Sequence, residues 1–298
     1  MEPWSRVLDG LSAVAAKRLF FVGGAPRSGT TWVQQILDFH PEISCLGEGL
    51  FQKYLAGPLD VATRDRRAAV AEKNTRLFAH TGGYPLPAEE DADFLLGAAI
   101  LADFRRRGTD ETIRAIGEKT PENIFLFPRL KRIFPGARLI AVARDPRDIL
   151  ASAWHLFGPP ATAENEDAAK HAFIRAALPS LEQGARAMLD LEQTHPRDIA
   201  IVTYELLRRA PELGAANMFR FLGVSDAPDI VAACVARASF QAQTGGRAPG
   251  DERKDAFLRK GVAGGWTGTL TPAMNETILA QLGWMFPRFG WRMSEENR

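Results

Sequence analysis

Residues 19–32, with the sequence LFFVGGAPRSGTTW, decide the fold of this chain. The stretch starts with an apolar run and ends that run in two glycines. From Thr30 onward the apolar residues are spaced for one face of a helix. This pattern predicts a strand, a tight loop and a helix. Helix N-termini with unpaired amides attract anions, and Gly29 lets the backbone approach closely, so we expect a phosphate-binding loop. Arg27 would add a fixed positive charge. Hydroxyl donors would come from Ser28, Thr30 and Thr31.

Two further segments repeat the alternation of strand and helix. Residues 139–143, LIAVA, stop at Arg144 and lead into a helical segment, and residues 199–203, IAIVT, precede a helix near residues 215–222. Strands that alternate with helices predict an α/β fold with three layers, α/β/α, around a central parallel sheet. The phosphate loop would lie between the first strand and the first helix of that core.

The length of 298 residues is compatible with one domain, and we expect residues 1–298 to form it. Residues 50–115 contain charged helical stretches at 64–78 and 91–107, which predict a helical insertion between the first two predicted strands. The polar, glycine-rich residues 241–256 predict a mobile loop.

The composition limits the classes of partner. The formal net charge is +1, so the chain as a whole does not favour nucleic acid, and no apolar run is long enough to predict a membrane span. Two widely spaced cysteines, Cys45 and Cys234, predict reduced thiols, and the lack of an apolar run suited to a signal peptide predicts a cytoplasmic location. No two of the five histidines have the spacing of a metal site, so we expect none.

The loop has to be compared with the nucleotide-triphosphatase pattern G-x-x-x-x-G-K-[ST]. Gly24 and Gly29 fit its spacing, but Thr30 stands where the pattern requires lysine. A P-loop kinase or triphosphatase remains the alternative function, and a nucleotide-binding module without activity remains a third possibility.

Residues 26–32, PRSGTTW, resemble the 5'-phosphosulfate loop of the sulfotransferases that use 3'-phosphoadenosine-5'-phosphosulfate (PAPS), commonly P-[KR]-S-G-T-T-W. The resemblance implies that Arg27, Ser28, Gly29, Thr30, Thr31 and Trp32 hold the 5'-phosphosulfate. Residues 144–152 are similar to the family's 3'-phosphate element, R-[DN]-P-x-D-x-x-x-S. The resemblance implies that this chain uses PAPS as cofactor and releases 3'-phosphoadenosine-5'-phosphate (PAP). The remaining binding residues implied by the resemblance are Arg144, Ser152, Tyr204, Ser239, Phe240, Arg259, Lys260 and Gly261.

The resemblance also implies the catalytic groups. Lys119, in residues 117–121, GEKTP, is placed like the family lysine that bridges acceptor and sulfonate. The cytosolic members use the histidine of K-T-H-L-P as base, and this chain lacks it. Carbohydrate-type and bacterial members use a glutamate that often follows a glycine, which favours Glu48 here, with Glu118 and Glu122 as alternatives. The expected reaction is in-line sulfuryl transfer without a metal.

The acceptor cannot be chosen from any motif. A hydroxyl or amine of a small molecule, a carbohydrate or a lipid fits the resemblance equally well, and the oligomeric state also stays open. The glutamate base favours a carbohydrate or an alcohol, by resemblance alone.

Overall fold

The computed structural model describes residues 3–107, 110–160, 162, 164–253 and 258–293. Within these ranges, five parallel strands form one sheet in the order β2-β3-β1-β4-β5. The strands are β1 (Arg18–Gly24), β2 (Ile43–Leu46), β3 (Ala115–Lys119), β4 (Arg138–Ala143) and β5 (Ile199–Thr203).

Helices connect and cover the strands. They are α1 (Trp4–Ala15), α2 (Thr30–Asp38), α3 (Gly57–Leu77), α4 (Asp91–Arg107), α5 (Asn123–Ile133), α6 (Pro146–Phe157), α7 (Glu166–Thr194), α8 (Tyr204–Arg209), α9 (Pro211–Leu222), α10 (Pro228–Arg237), α11 (Phe240–Gln243), α12 (Pro272–Leu282) and α13 (Phe286–Phe289). A π-helix (Gln52–Ala56) precedes α3, and short 3-10 helices occupy Gly265–Gly268 and Gly283–Met285. In the described part of the chain, no helix combines the length and the apolar composition that a bilayer span requires.

The sheet is buried on both faces because its strands alternate apolar side chains between two cores. Phe21 of β1 packs into a core with residues of α4, α5 and α7. Phe20 and Val22 pack on the other face, into a core with residues of α2, α9 and α10. A third cluster joins α6, α7 and α12. The predicted three-layer α/β/α architecture with a parallel sheet is therefore confirmed.

The register of the strands places the candidate residues at one edge. Val22 of β1 lies opposite Lys119 of β3, and Gly24 lies opposite Val142 of β4. The carboxyl ends of β1, β3 and β4 therefore meet, and the segments that follow them share one edge of the sheet. In open α/β sheets this edge is where ligands bind.

Three predicted strands are confirmed as β1, β4 and β5, but β2 and β3 were not predicted. β2 has four residues, and β3 ends in Gly117, Glu118 and Lys119, which do not form an apolar run. Both predicted helices of the insertion are present as α3 and α4, and the helical part ends before Ala115, the first residue of β3. Within the predicted mobile loop, residues 254–256 lie outside the described residues.

Candidate active site

The predicted phosphate loop lies between β1 and α2. Gly29 is the N-cap of α2 and has φ +105°, and an added Cβ there would lie 2.7 Å from the ring of Tyr204. Gly24 is equally constrained, because a Cβ would lie 2.5 Å from the carbonyl oxygen of Val142. Among the described residues no side chain caps α2, so its first amides are left for a ligand. The loop has the form that anion binding requires.

Arg27 adopts an unusual backbone conformation at the centre of this loop. Its φ of +71° lies in the left-handed region, which is costly for a residue with a side chain and occurs mainly at functional sites. Its Nε donates to Ser152 Oγ over 3.1 Å, which ties the loop to α6. Arg144 Nη1 donates to the carbonyl oxygen of Arg27 over 2.9 Å, so the two predicted phosphate elements are directly connected.

A cavity of about 130 Å³ opens at this edge of the sheet and unites both elements. The predicted binding residues that line it are Arg27, Gly29, Thr30, Thr31, Trp32, Arg144, Ser152, Tyr204, Phe240, Arg259, Lys260 and Gly261. Residues separated by more than 200 positions in the sequence thus surround one space. Gln35, Asp148, Arg208 and Gln243 also line the cavity and were not predicted.

The positive charges of the cavity lie close to one another. Burial lowers the pKa of Arg27, and the charges of Arg144 and Arg259 lower it further. The guanidinium carbon of Arg144 lies 4.1 Å from the centre of the Tyr204 ring. Arg144 Nη2 donates to the carbonyl oxygen of Val262 over 3.0 Å. Like charges held together in this way are stabilised by a bound anion. The electrostatics therefore favour a ligand with more than one negative group.

Two buried polar atoms beside the loop suit such a ligand. Ser28 Oγ and Trp32 Nε1 are buried and have no hydrogen-bond partner among the described residues. Buried polar groups are usually paired, so these two are candidates for ligand contact. Ser28 lies inside the loop and does not line the cavity, whereas Trp32 does and meets Tyr204 edge-on at 5.6 Å.

Asp148 explains how the C-terminal segment reaches the cavity. Its carboxylate accepts from the amide of Gly264 over 2.7 Å and from the amide of Trp266 over 3.0 Å. Burial raises the pKa of this carboxyl. Asp148 is the second aspartate of the R-D-P-R-D sequence, so the motif could have identified it. Its contacts anchor the segment that carries Arg259 and Lys260.

The remaining contacts of that segment surround Phe240. Gly261 has φ +63°, and a Cβ there would lie 2.5 Å from the ring of Phe240. The guanidinium of Arg247 lies 5.1 Å from the centre of the same ring. Ser239 does not line the cavity: its hydroxyl accepts from the amide of Ala242 over 3.2 Å and caps α11. Arg259 is paired with Glu252 at the cavity rim.

The two predicted catalytic residues outside the loop meet beside the cavity. Lys119 Nζ lies 2.5 Å from Glu48 Oε1, and the lysine is buried while the glutamate is exposed. Neither residue lines the 130 Å³ cavity. Lys119 ends β3, opposite Val22 of β1, so the ion pair lies on the same edge of the sheet as the phosphate loop.

The alternative bases occupy different surroundings. Glu118 is fully buried, and burial raises its pKa to about 7 against the opposing effect of hydrogen bonds from Asn123, Thr120 and Gly49. Glu122 is exposed and lines a second, largely apolar cavity on the far side of residues 24–26. Within the described ranges, no three His, Cys, Asp or Glu side chains gather in a way that could hold a metal ion.

Comparison with known proteins adds family information to this geometry. The profile of the sulfotransferase family matches residues 20–229. A Caenorhabditis briggsae protein named as a protein-tyrosine sulfotransferase is 27% identical over 207 residues, which are 69% of this chain and 65% of the relative. Protein-tyrosine sulfotransferase 2 of Gallus gallus is 28% identical over 209 residues, or 70% of this chain and 51% of the relative. The chain thus spans about half to two thirds of these relatives.

The fold is also similar to solved structures. The crystal structure of mouse sulfotransferase SULT7A1 complexed with PAP superposes with a TM-score of 0.54. The match covers 94% of this chain and 88% of that chain at 14% sequence identity. At this identity the likeness concerns the fold, and it agrees with the three-layer architecture described above.

Proposed function

Because this chain belongs to the sulfotransferase family, we propose that it transfers a sulfuryl group from PAPS to a hydroxyl or amine acceptor. The observation that carries the proposal is one cavity lined by two separate groups of residues that can attract anions. The first group is the phosphate loop. The second group is Arg144, Ser152, Arg259 and Lys260. A nucleotide with phosphates on both its 5' and 3' positions would engage both groups at once.

The cavity residues fit such a nucleotide in their chemistry. The amides at the start of α2 and the hydroxyls of Thr30 and Thr31 would bind the 5'-phosphosulfate. Arg144 and Lys260 would pair with the 3'-phosphate, as planar and point cations suit phosphate oxygens. The aromatic rings of Trp32, Tyr204 and Phe240 would contact the adenine. Trp32 Nε1, which lines the cavity, would gain the partner that the described chain does not provide.

The chemistry of the reaction assigns a task to each catalytic side chain. PAPS supplies an activated sulfuryl group whose leaving group is the phosphate oxygen of PAP. Arg27 and the α2 amides would stabilise the negative charge that grows on that oxygen. Lys119 would stabilise the negative charge on the transferred group. This attraction is stronger at a buried site than in water.

Glu48 would take the proton from the acceptor as the new bond to sulfur forms. Its carboxylate is exposed at the edge of the sheet, so an acceptor can reach it. The ion pair with Lys119 holds the carboxylate in one place before an acceptor arrives. A positioned carboxylate that acts as a general base contributes about 10²–10⁴-fold to a rate.

The test is transfer of radiolabelled sulfuryl from PAPS to a panel of acceptors in the presence of a chelator. The panel contains 4-nitrophenol, N-acetylglucosamine, dodecanol, a primary amine and a tyrosine peptide, the last because of the two protein-tyrosine relatives. We expect transfer to at least one compound and a loss of about 10²-fold or more in Glu48→Ala. Failure of all transfer together with failure to bind PAP would contradict the proposal.

The matched control separates catalysis from binding. Glu48 does not line the cavity, so Glu48→Ala should bind PAP within about twofold of the unchanged protein. A non-catalytic nucleotide-binding module would bind PAP and transfer nothing in either form. A kinase or triphosphatase would require ATP and magnesium, and Thr30 at its lysine position argues against that function.

A further inference from the structure

Consecutive residues at the end of β3 hold consecutive residues of the loop that carries Glu48. Lys119 Nζ pairs with the Glu48 carboxylate over 2.5 Å, as described above. One residue earlier, Glu118 Oε2 accepts from the backbone amide of Gly49 over 3.1 Å. Successive side chains of a strand project to opposite faces of the sheet. The loop is therefore held from both faces of β3 at adjacent positions.

Thr120 completes this set of contacts. Its hydroxyl accepts from the amide of Leu50 over 3.4 Å and donates to Glu118 Oε2 over 2.7 Å. We call Glu118, Thr120 and Asn123 the latch. The latch binds the backbone of residues 49–50, and Lys119 binds the side chain of Glu48. All of these contacts join positions about 70 residues apart in sequence.

The turn that the latch holds is strained. Leu50 has φ +53°, a left-handed conformation that costs a residue with a branched side chain on the order of 1–3 kcal/mol unless its surroundings enforce it. Phe51, the next residue, is buried in the core with α4 and α5. The turn therefore has a fixed end in the core, and its backbone amides need external acceptors to keep this conformation.

The latch also connects the turn to β1. Asn123 Nδ2 donates to Glu118 Oε1 over 2.5 Å and to the carbonyl oxygen of Val22 over 3.1 Å. Val22 lies two residues before the end of β1, where the phosphate loop begins. Glu118 receives three hydrogen bonds in a fully buried site, which offset part of the cost of burying a carboxylate. One buried carboxylate thus links the Glu48 loop to the strand that carries the phosphate loop.

We propose that Glu118 is a positioning residue, which holds the Glu48 loop at a fixed distance from the phosphate loop through Thr120 and Asn123. Glu118 is not a catalytic residue, since its oxygens are occupied by Gly49, Thr120 and Asn123 and are buried away from an acceptor. The inference rests on the proposed function, because the position of Glu48 affects turnover only if Glu48 takes the acceptor proton. A displacement of about 1 Å of such a group can cost 10²-fold in rate.

The first experiment measures the loop directly and needs no substrate. Hydrogen–deuterium exchange is followed for residues 47–51 in Glu118→Ala, Glu118→Gln and Thr120→Val. We expect exchange to be about tenfold faster at the Gly49 amide in Glu118→Ala and at the Leu50 amide in Thr120→Val, because each variant removes the acceptor of that amide. Thr120→Val is nearly isosteric, so it keeps the test valid if Glu118→Ala does not fold.

The conservative variant provides the rescue. Glutamine retains an oxygen that can accept from Gly49 and Thr120. Its NH2 group can donate to Asn123 Oδ1, which has no hydrogen-bond partner in the described part of the chain, once the Asn123 amide turns over and gives up its bond to Val22. Exchange at residues 47–51 in Glu118→Gln should therefore stay within about threefold of the unchanged protein. The control Asp198→Ala removes a carboxylate paired with Lys131 and Arg138 at the opposite edge of the sheet. It should lower stability without changing exchange at residues 47–51.

The second experiment measures turnover and PAP affinity with the panel compound that is sulfated fastest. We expect kcat to fall about 10²-fold in Glu118→Ala and about tenfold in Thr120→Val, with PAP affinity within about twofold. Glu118→Gln should retain kcat within about threefold. Unchanged exchange in both Glu118→Ala and Thr120→Val, or unchanged kcat in both, would overturn the positioning role. Failure of the unchanged protein to bind PAP or transfer sulfuryl would instead overturn the proposed function, while the exchange results would still report on the latch.

Discussion

The two halves of the functional edge are organised differently. On the side of β1, β4 and β5, charged and polar groups line a cavity, and Ser28 Oγ and Trp32 Nε1 have no partner in the described chain. On the side of β2 and β3, the functional groups are already paired with one another, as Lys119 with Glu48 and Glu118 with Gly49. The first half is prepared for a ligand, and the second half is prepared by its own contacts.

This difference indicates a division of labour. A site that recognises a nucleotide gains specificity when its donors are satisfied by the ligand alone. A site that places a base gains rate when internal contacts fix the base before the acceptor arrives. Changes in the first half should therefore weaken nucleotide binding, whereas changes in the second half should lower turnover at unchanged nucleotide affinity.

The largest effect is expected where the two halves meet, at Arg27. Arg27→Ala should lower turnover about 10³-fold, because it removes the charge that stabilises the leaving oxygen. It should also weaken PAP binding about tenfold, since one cation of the cavity is lost. Steady-state kinetics and calorimetry measure the two effects. The control is Arg64→Ala, which removes an exposed arginine of α3. A loss of turnover of less than tenfold in Arg27→Ala would contradict the role of Arg27.

A purely nucleotide-side effect is expected at Asp148. Asp148→Asn keeps the shape but can accept well at only one oxygen, so the amides of Gly264 and Trp266 are held less firmly. The segment that carries Arg259 and Lys260 then becomes less ordered, and PAP affinity should fall about tenfold. Turnover at saturating PAPS should change less than threefold. Calorimetry measures the Kd for PAP in Asp148→Asn, with Asp198→Asn as control. An unchanged Kd in Asp148→Asn would refute the anchoring role of Asp148.

The same division determines what the sequence could predict. On the side of β1, β4 and β5, short motifs follow apolar strands, so the apolar runs predicted these strands and the family resemblance predicted Arg27, Arg144 and Tyr204. On the side of β2 and β3, the resemblance predicted Glu48 and Lys119, but neither strand was predicted. The half on the side of β2 and β3 depends on β3, in which Glu118 and Lys119 are buried and no apolar run is present. Periodicity cannot identify such a strand, because its polar residues are retained for function rather than for the core.

Long-range contacts set a second limit. The pairing of Lys119 with Glu48 and the acceptance of the Gly49 amide by Glu118 join positions about 70 residues apart, and no local pattern encodes them. Ser239 shows a different limit, because its role in binding stays a prediction while its observed contact is local. Its place beside Phe240 resembles a binding motif, yet its hydroxyl caps α11, as serine commonly does before a helix.

The last expected effect concerns stability rather than turnover or binding, and it is a pH dependence of stability in Glu118→Gln. Burial raises the pKa of Glu118 to about 7 from its ordinary value of 4.5, so the folded protein retains a proton that the unfolded chain has already lost. The stability contributed by this group is full below about pH 4.5 and is lost as the pH rises through 7. The charge of Lys119 acts on the pKa of Glu118 in the opposite direction to burial. Burial raises the pKa of the nearby Cys45 thiol well above its ordinary value.

Glutamine cannot ionise, so Glu118→Gln should gain stability relative to the unchanged protein between pH 4 and pH 8. The gain should be about 3 kcal/mol across that range. Denaturant unfolding at several pH values measures the difference. A difference in stability that does not change with pH would mean that Glu118 titrates at its ordinary value and that the latch is solvated.

A calorimetric titration of the protein with PAP and, separately, with ATP, in chelator at physiological salt, tests whether the cavity binds a nucleotide that has a 3'-phosphate. PAP carries one phosphate on its 5' position and another on its 3' position. ATP places all its phosphates at the 5' side, which leaves Arg144, Arg259 and Lys260 without a 3'-phosphate partner. We expect PAP to bind without a metal and at least about tenfold more tightly than ATP. Preference for ATP, or binding that appears only with magnesium, would contradict the account.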